Sequence, residues 1–310
     1  MILLPGNDTI SKAISVLNEG RLVGVPTETV YGLAGDATND GAVARIYEVK
    51  NRPDFNPLII HGPSVESLEA YAHFNDKARL LAQTFWPGPL TMVLPRKESN
   101  LSLLLSAGLD TVAVRIPNHP VMLDLLKEFG KPLAAPSANP SGAISPTSAR
   151  HVEDGLGDKI DLILDGGDCT VGVESSILDM TTDQPTLLRA GGIALEDIKV
   201  VIGNVAHHTS SDIKAPGMMT SHYAPRLPVR LNVVKCEPGE AYLGFGNCGD
   251  CTLNLSESGD VREAAANLFR MMRLLDTPHH TAIAIAPIPE CGLGLAINDR
   301  ISRAASDRSL

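Results

Sequence analysis

The sequence predicts an α/β protein of two domains, and three observations carry that reading. The chain has 310 residues, more than a single compact core usually holds. Up to about residue 203, short apolar strands alternate with amphipathic helical stretches, the signature of a layered α/β domain. An irregular tract then runs from 204 to 228 through His207-His208-Thr-Ser-Ser and Ala215-Pro-Gly-Met-Met-Thr-Ser-His222-Tyr223-Ala-Pro225. By composition this is a linker. A smaller alternation begins at Val229, so the expected units are 1–203, a linker over 204–228, and 229–310.

The elements follow in order. Asp8 or Thr9 can cap a first helix with Ile10, Ala13, Ile14 and Leu17 on one face, and Gly20 ends it. A strand around Leu22, Val23 and Val25 breaks at Pro26 into a hydroxyl-rich loop, Thr27, Thr29 and Tyr31, around Glu28. A helix with Val43, Ile46 and Tyr47 on one face ends in Lys50-Asn51-Arg52-Pro53, because Pro53 holds Arg52 extended. The strand Leu58-Ile59-Ile60 then delivers His61 to its end. Two cations at the mouth of this strand–helix–strand unit, facing hydroxyls, suit an anion. Charges at a helix C-terminus are also favoured by the macrodipole alone, so spacing does not decide between the two.

Ser64 starts another helix, and Asp76–Trp86 forms the next, stopped by Pro87-Gly88-Pro89. Trp86 reads as a packing anchor rather than a base-stacking platform. Leu90–Leu94 is a strand, and Thr111–Pro117 another, with Thr111, Ala113 and Arg115 on one face. The apolar strand Pro132–Pro136 leads into Ser137-Ala138-Asn139-Pro140-Ser141, and then Ser145-Pro146-Thr147. Ser145 is a good N-cap and Pro146 a good first helical residue, so a helix is expected there. Its N–H groups could hold phosphate oxygens without a Walker lysine. Asp161–Asp165 is a further strand. In the second domain, 229–234, 241–245, 250–255 and 281–286 read as strands, and 260–275 and 296–305 as helices.

Composition bounds the partners. Hydrophobic content of 44% and charged content of 20% are ordinary for a globular chain. The net charge of −10 argues against an extended nucleic-acid surface but not against a small basic pocket. Five cysteines, the absence of a basic n-region in MILLPGNDT and the absence of a bilayer-length apolar stretch point to a soluble protein of a reducing cytoplasm, with no membrane partner.

Three motifs compete with this reading. Gly244-Phe-Gly246-Asn-Cys-Gly249 fits G-x-G-x-x-G, yet a strand rather than a helix is expected after it, which counts against a dinucleotide site. Cys248–Cys251 is a CxxC without a second close pair, so with Cys236 and Cys291 it reads as buried free thiols rather than zinc ligands. His207-His208 reads as exposed linker.

The segments PTETVYGL and KNRPDFNPLIIH, with VRIP, SAN…SPT, GVESS and LLRAG further on, resemble the YrdC-like family of L-threonylcarbamoyladenylate synthases in its two-domain form. The resemblance covers most of the chain. It implies a twisted mixed sheet with helices plus a smaller C-terminal α/β, Rossmann-like domain. It also implies an adenylyl-transferring enzyme that makes threonylcarbamoyl-AMP and pyrophosphate from L-threonine, bicarbonate and ATP, towards threonylcarbamoyladenosine in tRNAs that decode ANN codons. At matching positions it places Thr29, His61, Arg115, Ala135 and Ser175 on threonine. Lys50, Arg52, Asn56, Thr111, Ser137, Asn139, Ser145, Arg189 and Tyr223 fall on ATP, with Lys50 and Arg52 as the catalytic cations. It further implies Mg²⁺ arriving with ATP, no tightly bound cofactor, and delivery of the product to a tRNA threonylcarbamoyl transferase complex, with weak or no direct tRNA contact. Ser176 stands where the family has threonine, and Ala190 where it has proline. Met219 and Thr220 replace the usual basic residue after PGM. A non-catalytic RNA-binding module using the same basic cavity is the alternative from another class, disfavoured by the acidic charge and low aromatic content. A relative using carbamoyl phosphate would carry acylphosphatase and zinc-finger segments, which are not seen.

Overall fold

The computed structural model describes residues 1–53, 56–208, 215–216 and 222–306. In the first domain the order is β1 (Ile2–Leu3), α1 (Asn7–Asn18), β2 (Val23–Val25), β3 (Gly32–Asp36), α2 (Asp40–Lys50), β4 (Ile59–His61), α3 (Val65–Glu69), α4 (Asp76–Phe85), β5 (Leu90–Pro95) and β6 (Thr111–Arg115). It continues with α5 (Pro120–Phe129), β7 (Leu133–Ala134), α6 (Ala149–Leu156), β8 (Leu162–Leu164), β9 (Ser176–Asp179), β10 (Thr186–Arg189), α7 (Leu195–Ile202) and β11 (Ala206–His207). The second domain holds β12 (Val229–Arg230), β13 (Ala241–Gly244), β14 (Leu253–Asn254), α8 (Val261–Leu275), β15 (Ile283–Ile285) and α9 (Gly294–Ala305).

The first eleven strands form one mixed sheet in the order β1-β8-β2-β3-β7-β4-β6-β5-β9-β10-β11. The second domain is a four-stranded sheet, β12-β15-β13-β14, and its pairs are all parallel. Parallel strands need crossovers, and α8 supplies the one from β14 back to β15.

Several local expectations change. β3 was not foreseen, because Gly-Leu-Ala-Gly-Asp shows no alternation; it is buried on both faces and pairs antiparallel with β2 and β7. The Gly24–His61 unit is therefore strand–strand–helix–strand. α1 opens at Asn7 after Gly6, not at an Asp8 or Thr9 cap: the carbonyl of Gly6 already accepts from the N–H groups of Thr9 and Ile10. The helix expected from Ser145 starts three residues later, with Ser148 as its cap. The intervening segment is held irregular, because the Pro146 carbonyl accepts from Tyr31 N–H and the Ser145 hydroxyl donates to Glu174. β12 is shorter than 229–234. β11 pairs with β10, so the large sheet extends past the expected boundary at 203 and His207 ends a strand rather than lying in a linker.

Trp86 does pack as an anchor: its ring meets Phe74 edge-on at 6.1 Å and its indole N–H donates to the Leu90 carbonyl. The domains share one apolar core, in which Val30, Ile144, Val173 and Tyr223 cluster with Leu268, Phe269 and Ile297. Gly172 makes that closeness feasible. It has φ of +75°, and a Cβ there would stand 2.5 Å from the Ala265 carbonyl oxygen on α8. Arg273 on α8 donates to the Ile144 carbonyl, and the carboxylate of Asp276 accepts from the backbone N–H groups of Arg226 and Leu227. Among the described residues no helix is long and apolar enough to cross a membrane.

Candidate active site

Parallel pairing of β4 with β6 sets His61 directly beside Arg115 at the carboxyl ends of both strands. In α/β sheets, ligands gather at such strand ends. The hydroxyl loop between β2 and β3 brings Thr27 and Thr29, whose hydroxyls lie 2.8 Å apart. Ala135 and Ser137 follow β7, Ser175 precedes β9, and Arg189 ends β10. Together with Arg52 and Tyr223 they line a single cavity.

The arginines are held in different ways. Arg115 donates through Nε to the Gly88 carbonyl and pairs through Nη2 with Glu28 at 2.8 Å, both side chains being buried. Arg189 donates to the carbonyls of Ser175 and Pro216 and to the Ser175 hydroxyl. Arg52 donates to the carbonyls of Asn56 and Pro57. Burial brings the Arg52 guanidinium down to about 10, which leaves it charged at neutral pH, and it also lowers that of Arg189. Neither Arg52 nor Arg189 forms a direct salt bridge among the described residues, although Glu174 acts on Arg189 through space; the surplus of buried positive charge favours an anionic ligand.

Glu174 also faces the cavity. Burial pushes its carboxyl up, but Arg300, Arg189 and the Ser145 hydroxyl outweigh that and hold it at about 2. Its Oε2 lies 2.7 Å from Nε of Arg300, a wholly buried residue of α9, so the second domain neutralises an acid of the first. His61 and His222 are each held at about 3, mainly by burial and, at His61, next by Arg115. Both are neutral imidazoles at physiological pH, with Nδ1 buried and unpartnered among the described residues. Tyr223, at φ +62°, stacks on Phe269 at 5.5 Å and lies 5.2 Å from the Arg300 guanidinium.

Five of the expected site residues do not line this cavity. Lys50 is buried with Nζ donating to the carbonyls of Ser137 and Asn139 at 2.6 and 2.5 Å. Burial and the neighbouring Arg52 push its ammonium well below the ordinary lysine value. Its place is under the Ser137–Asn139 loop rather than on the cavity wall. Asn139 donates to the carbonyls of Pro140 and Ala143, which shapes the same loop. Ser145 donates to Glu174. Asn56 is fully buried, and its carbonyl accepts from Tyr47 and Arg52. Thr111 begins β6, four residues before Arg115 and so roughly 13 Å away along the strand.

Sequence reasoning gave no role to Glu174 or His222, although both lie inside quoted motifs, and it missed Arg300 altogether. Nothing in the amphipathic pattern of α9 marks Arg300. The Ser176 hydroxyl donates to the Ile193 carbonyl and accepts from its N–H, so serine in place of threonine keeps the group that matters. Met219 and Thr220 lie outside the described residues. The four thiols of the second domain are free, as expected, but not buried: Cys236, Cys248 and Cys251 are half-buried in loops and Cys291 is exposed. No helix starts in the Gly244–Gly249 loop, and α8 begins only at Val261.

Fold and cavity together describe an α/β protein with a buried, arginine-lined cavity at the carboxyl ends of its strands. A family model for Sua5/YciO/YrdC proteins, described as telomere recombination, matches residues 15–191. A second, the threonylcarbamoyl-AMP synthase C-terminal domain, matches 193–306. The chain is 43% identical to a threonylcarbamoyl-AMP synthase of Pyrococcus abyssi, over 96% of this chain and 94% of that one. It is 38% identical to one of Bacillus subtilis, over 96% and 93%. The crystal structure of P. abyssi Sua5 complexed with L-threonine superposes with a TM-score of 0.92 at 39% identity, covering 98% of this chain and 97% of that one. The chain belongs to the threonylcarbamoyl-AMP synthase family, in its two-domain form.

Proposed function

We propose that this enzyme condenses L-threonine, bicarbonate-derived carbon dioxide and ATP into threonylcarbamoyl-AMP, releasing pyrophosphate, in the cytoplasm. The observation that carries the reading is a cavity lined by three buried arginines, Arg52, Arg115 and Arg189, of which Arg52 and Arg189 form no direct salt bridge among the described residues. Arg115 takes the threonine carboxylate. Glu28 and the Gly88 carbonyl fix its fork, leaving Nη1 for the ligand. Neutral His61, Thr29, Ser175 and the Ala135 backbone surround the rest of the amino acid. Once the threonine amine carries carbon dioxide, the carbamate oxygen attacks the α-phosphorus. The P–O bond to the β-phosphate breaks, and pyrophosphate leaves.

Arg52 and Arg189 neutralise the phosphates as that charge is redistributed, and Ser137 orients the nucleotide. Lys50, Asn139 and Ser145 act one layer out, by holding the Ser137 loop and Glu174 in place. Among the described residues no group of three His, Cys, Asp or Glu side chains could hold a metal, and the two acids nearest the site are taken by Arg115 and Arg300. The residues therefore suit Mg²⁺ carried by the triphosphate better than one held by the protein, and the ion would add charge neutralisation on the leaving pyrophosphate. The product passes to a tRNA threonylcarbamoyl transferase complex, for tRNAs that decode ANN codons. Direct tRNA binding is weak or absent, in keeping with the net charge of −10.

Two results test the division of labour. Arg115→Lys raises the apparent KM for threonine at least several-fold more than that for ATP, because a point charge replaces a planar fork; equal effects on both would remove Arg115 from the threonine pocket. Tyr223→Ala lowers the yield of threonylcarbamoyl-AMP relative to pyrophosphate. The ring closes the cavity against Phe269, and the mixed anhydride is destroyed by admitted water. A parental ratio of intermediate to pyrophosphate would make the segment around Tyr223 a tether only.

A further inference from the structure

The second domain carries a cleft that the synthase reaction does not use. It opens at the carboxyl ends of the parallel strands β13 and β15, the position where such sheets bind ligands, and Cys236, Tyr242, Phe245 and Cys248 line it. Cys248 lines the cleft and Cys251 lies beside it. A Cβ on residue 244 would stand 1.9 Å from Sγ of Cys248 and 3.0 Å from Sγ of Cys251, so the two sulfurs lie within about 5 Å of each other. Gly244 leaves the space that the Cys248 sulfur fills. The chain turns tightly around the pair: Gly246, just before it, and Gly249, within it, have positive φ, and Cys251 N–H donates to the Gly249 carbonyl.

The two sulfurs face each other across the space that Gly244 leaves open. Asn254, itself fixed by donation to the Gly246 carbonyl, directs its amide N–H at the Cys248 sulfur from 3.6 Å. The Cys236 thiol is instead engaged with the Glu237 and Glu240 carbonyls. Among the described residues no group of three ligating side chains forms here.

We infer that Cys248 and Cys251 are a reversible dithiol–disulfide site, which exchanges with low-molecular-weight disulfides entering through the cleft. One cysteine thiolate attacks the external disulfide RSSR, forms a mixed disulfide and releases RS⁻, which takes up a proton. The second cysteine, as thiolate, then attacks the sulfur of the first and expels the remaining RS⁻, protonated to RSH. Two protein thiols are oxidised to one disulfide, and RSSR is reduced to two RSH. Burial, reinforced by contact with Cys251, pushes the Cys248 thiol up to about 11, so it stays protonated at neutral pH and reacts faster in alkali.

The test uses the full chain incubated with oxidised glutathione, quenched in acid, alkylated and mapped by mass spectrometry. The peptide bearing Cys248 and Cys251 is expected two hydrogens lighter and unalkylated, restored by dithiothreitol, while exposed Cys291 carries glutathione. Cys251→Ser is expected to trap glutathione on Cys248. Threonine-dependent pyrophosphate release by the double variant Cys248→Ser/Cys251→Ser stays at the parental level, because neither thiol lines the catalytic cavity. The inference is overturned if both cysteines remain fully alkylated when Cys291 is fully glutathionylated, or if the disulfide found joins Cys236 to either of them.

Discussion

Arg52→Ala is expected to lower threonine-dependent pyrophosphate release by about 10²-fold or more, since losing one charged donor at developing phosphate charge removes several kcal/mol of transition-state stabilisation. The guanidinium is buried, it lines the cavity, and it has no carboxylate partner among the described residues, so phosphate is its natural counter-ion. It also donates to the carbonyls of Asn56 and Pro57, and the alanine variant gives up those bonds too. Arg52→Lys separates the contributions: it keeps the charge, loses the fork, and should recover part of the rate. Far-ultraviolet circular dichroism checks that the fold survives. Near-parental turnover in the alanine variant would remove the KNRP segment from phosphate binding.

Arg300→Leu should cost about 3–5 kcal/mol of stability, the penalty for stranding one half of a buried ion pair. Its partner Glu174 is buried beside the catalytic cavity, so the loss should show in thermal unfolding and in activity together. The pH dependence gives a sharper signature. Glu174 is held at about 2 in the folded enzyme, below its ordinary unfolded value of about 4.3. The stability from this shift is therefore fully present above the unfolded value and is lost as pH falls through about 2. Without Arg300 the folded-state value rises, so the acid midpoint of unfolding moves to higher pH. Glu174→Leu in the same chain should restore stability, by removing the stranded charge. An unchanged acid midpoint in Arg300→Leu would show that the two domains are not electrostatically joined. Deleting the second domain is a poorer test of this ion pair. A cut after Gly203 removes β11 from the large sheet and uncovers Glu174 at the same time.

The sequence exposed those parts of the fold that obey a period or a chemical rule. Helices α4 and α8 and strands β5 and β6 declare themselves by apolar spacing and by Pro-Gly or Asp boundaries. β3 escaped because a buried strand of Gly, Leu and Ala carries no alternation, and its two partners are what make it a strand. The helix start at Ser145 was misplaced for a related reason. Local capping chemistry favoured Ser145, but its hydroxyl is engaged by Glu174, 29 residues further on. In the site, motif residues such as Arg52, His61, Arg115 and Arg189 were legible one by one. What spacing could not show is which of them touch the cavity. Lys50 reads in sequence like Arg52, as a cation at the mouth of the unit, and turns inward to two carbonyls. Arg300 looked like an ordinary helix residue and completes the site from the other domain. Both outcomes depend on long-range packing, which no local pattern records.

The most direct test of the account is pyrophosphate release from ATP by the full chain, measured with and without bicarbonate and with each amino acid in turn. The account predicts release that requires both bicarbonate and L-threonine, with threonylcarbamoyl-AMP recovered alongside. Release that ignores bicarbonate, or that another amino acid supports as well as threonine, would contradict it.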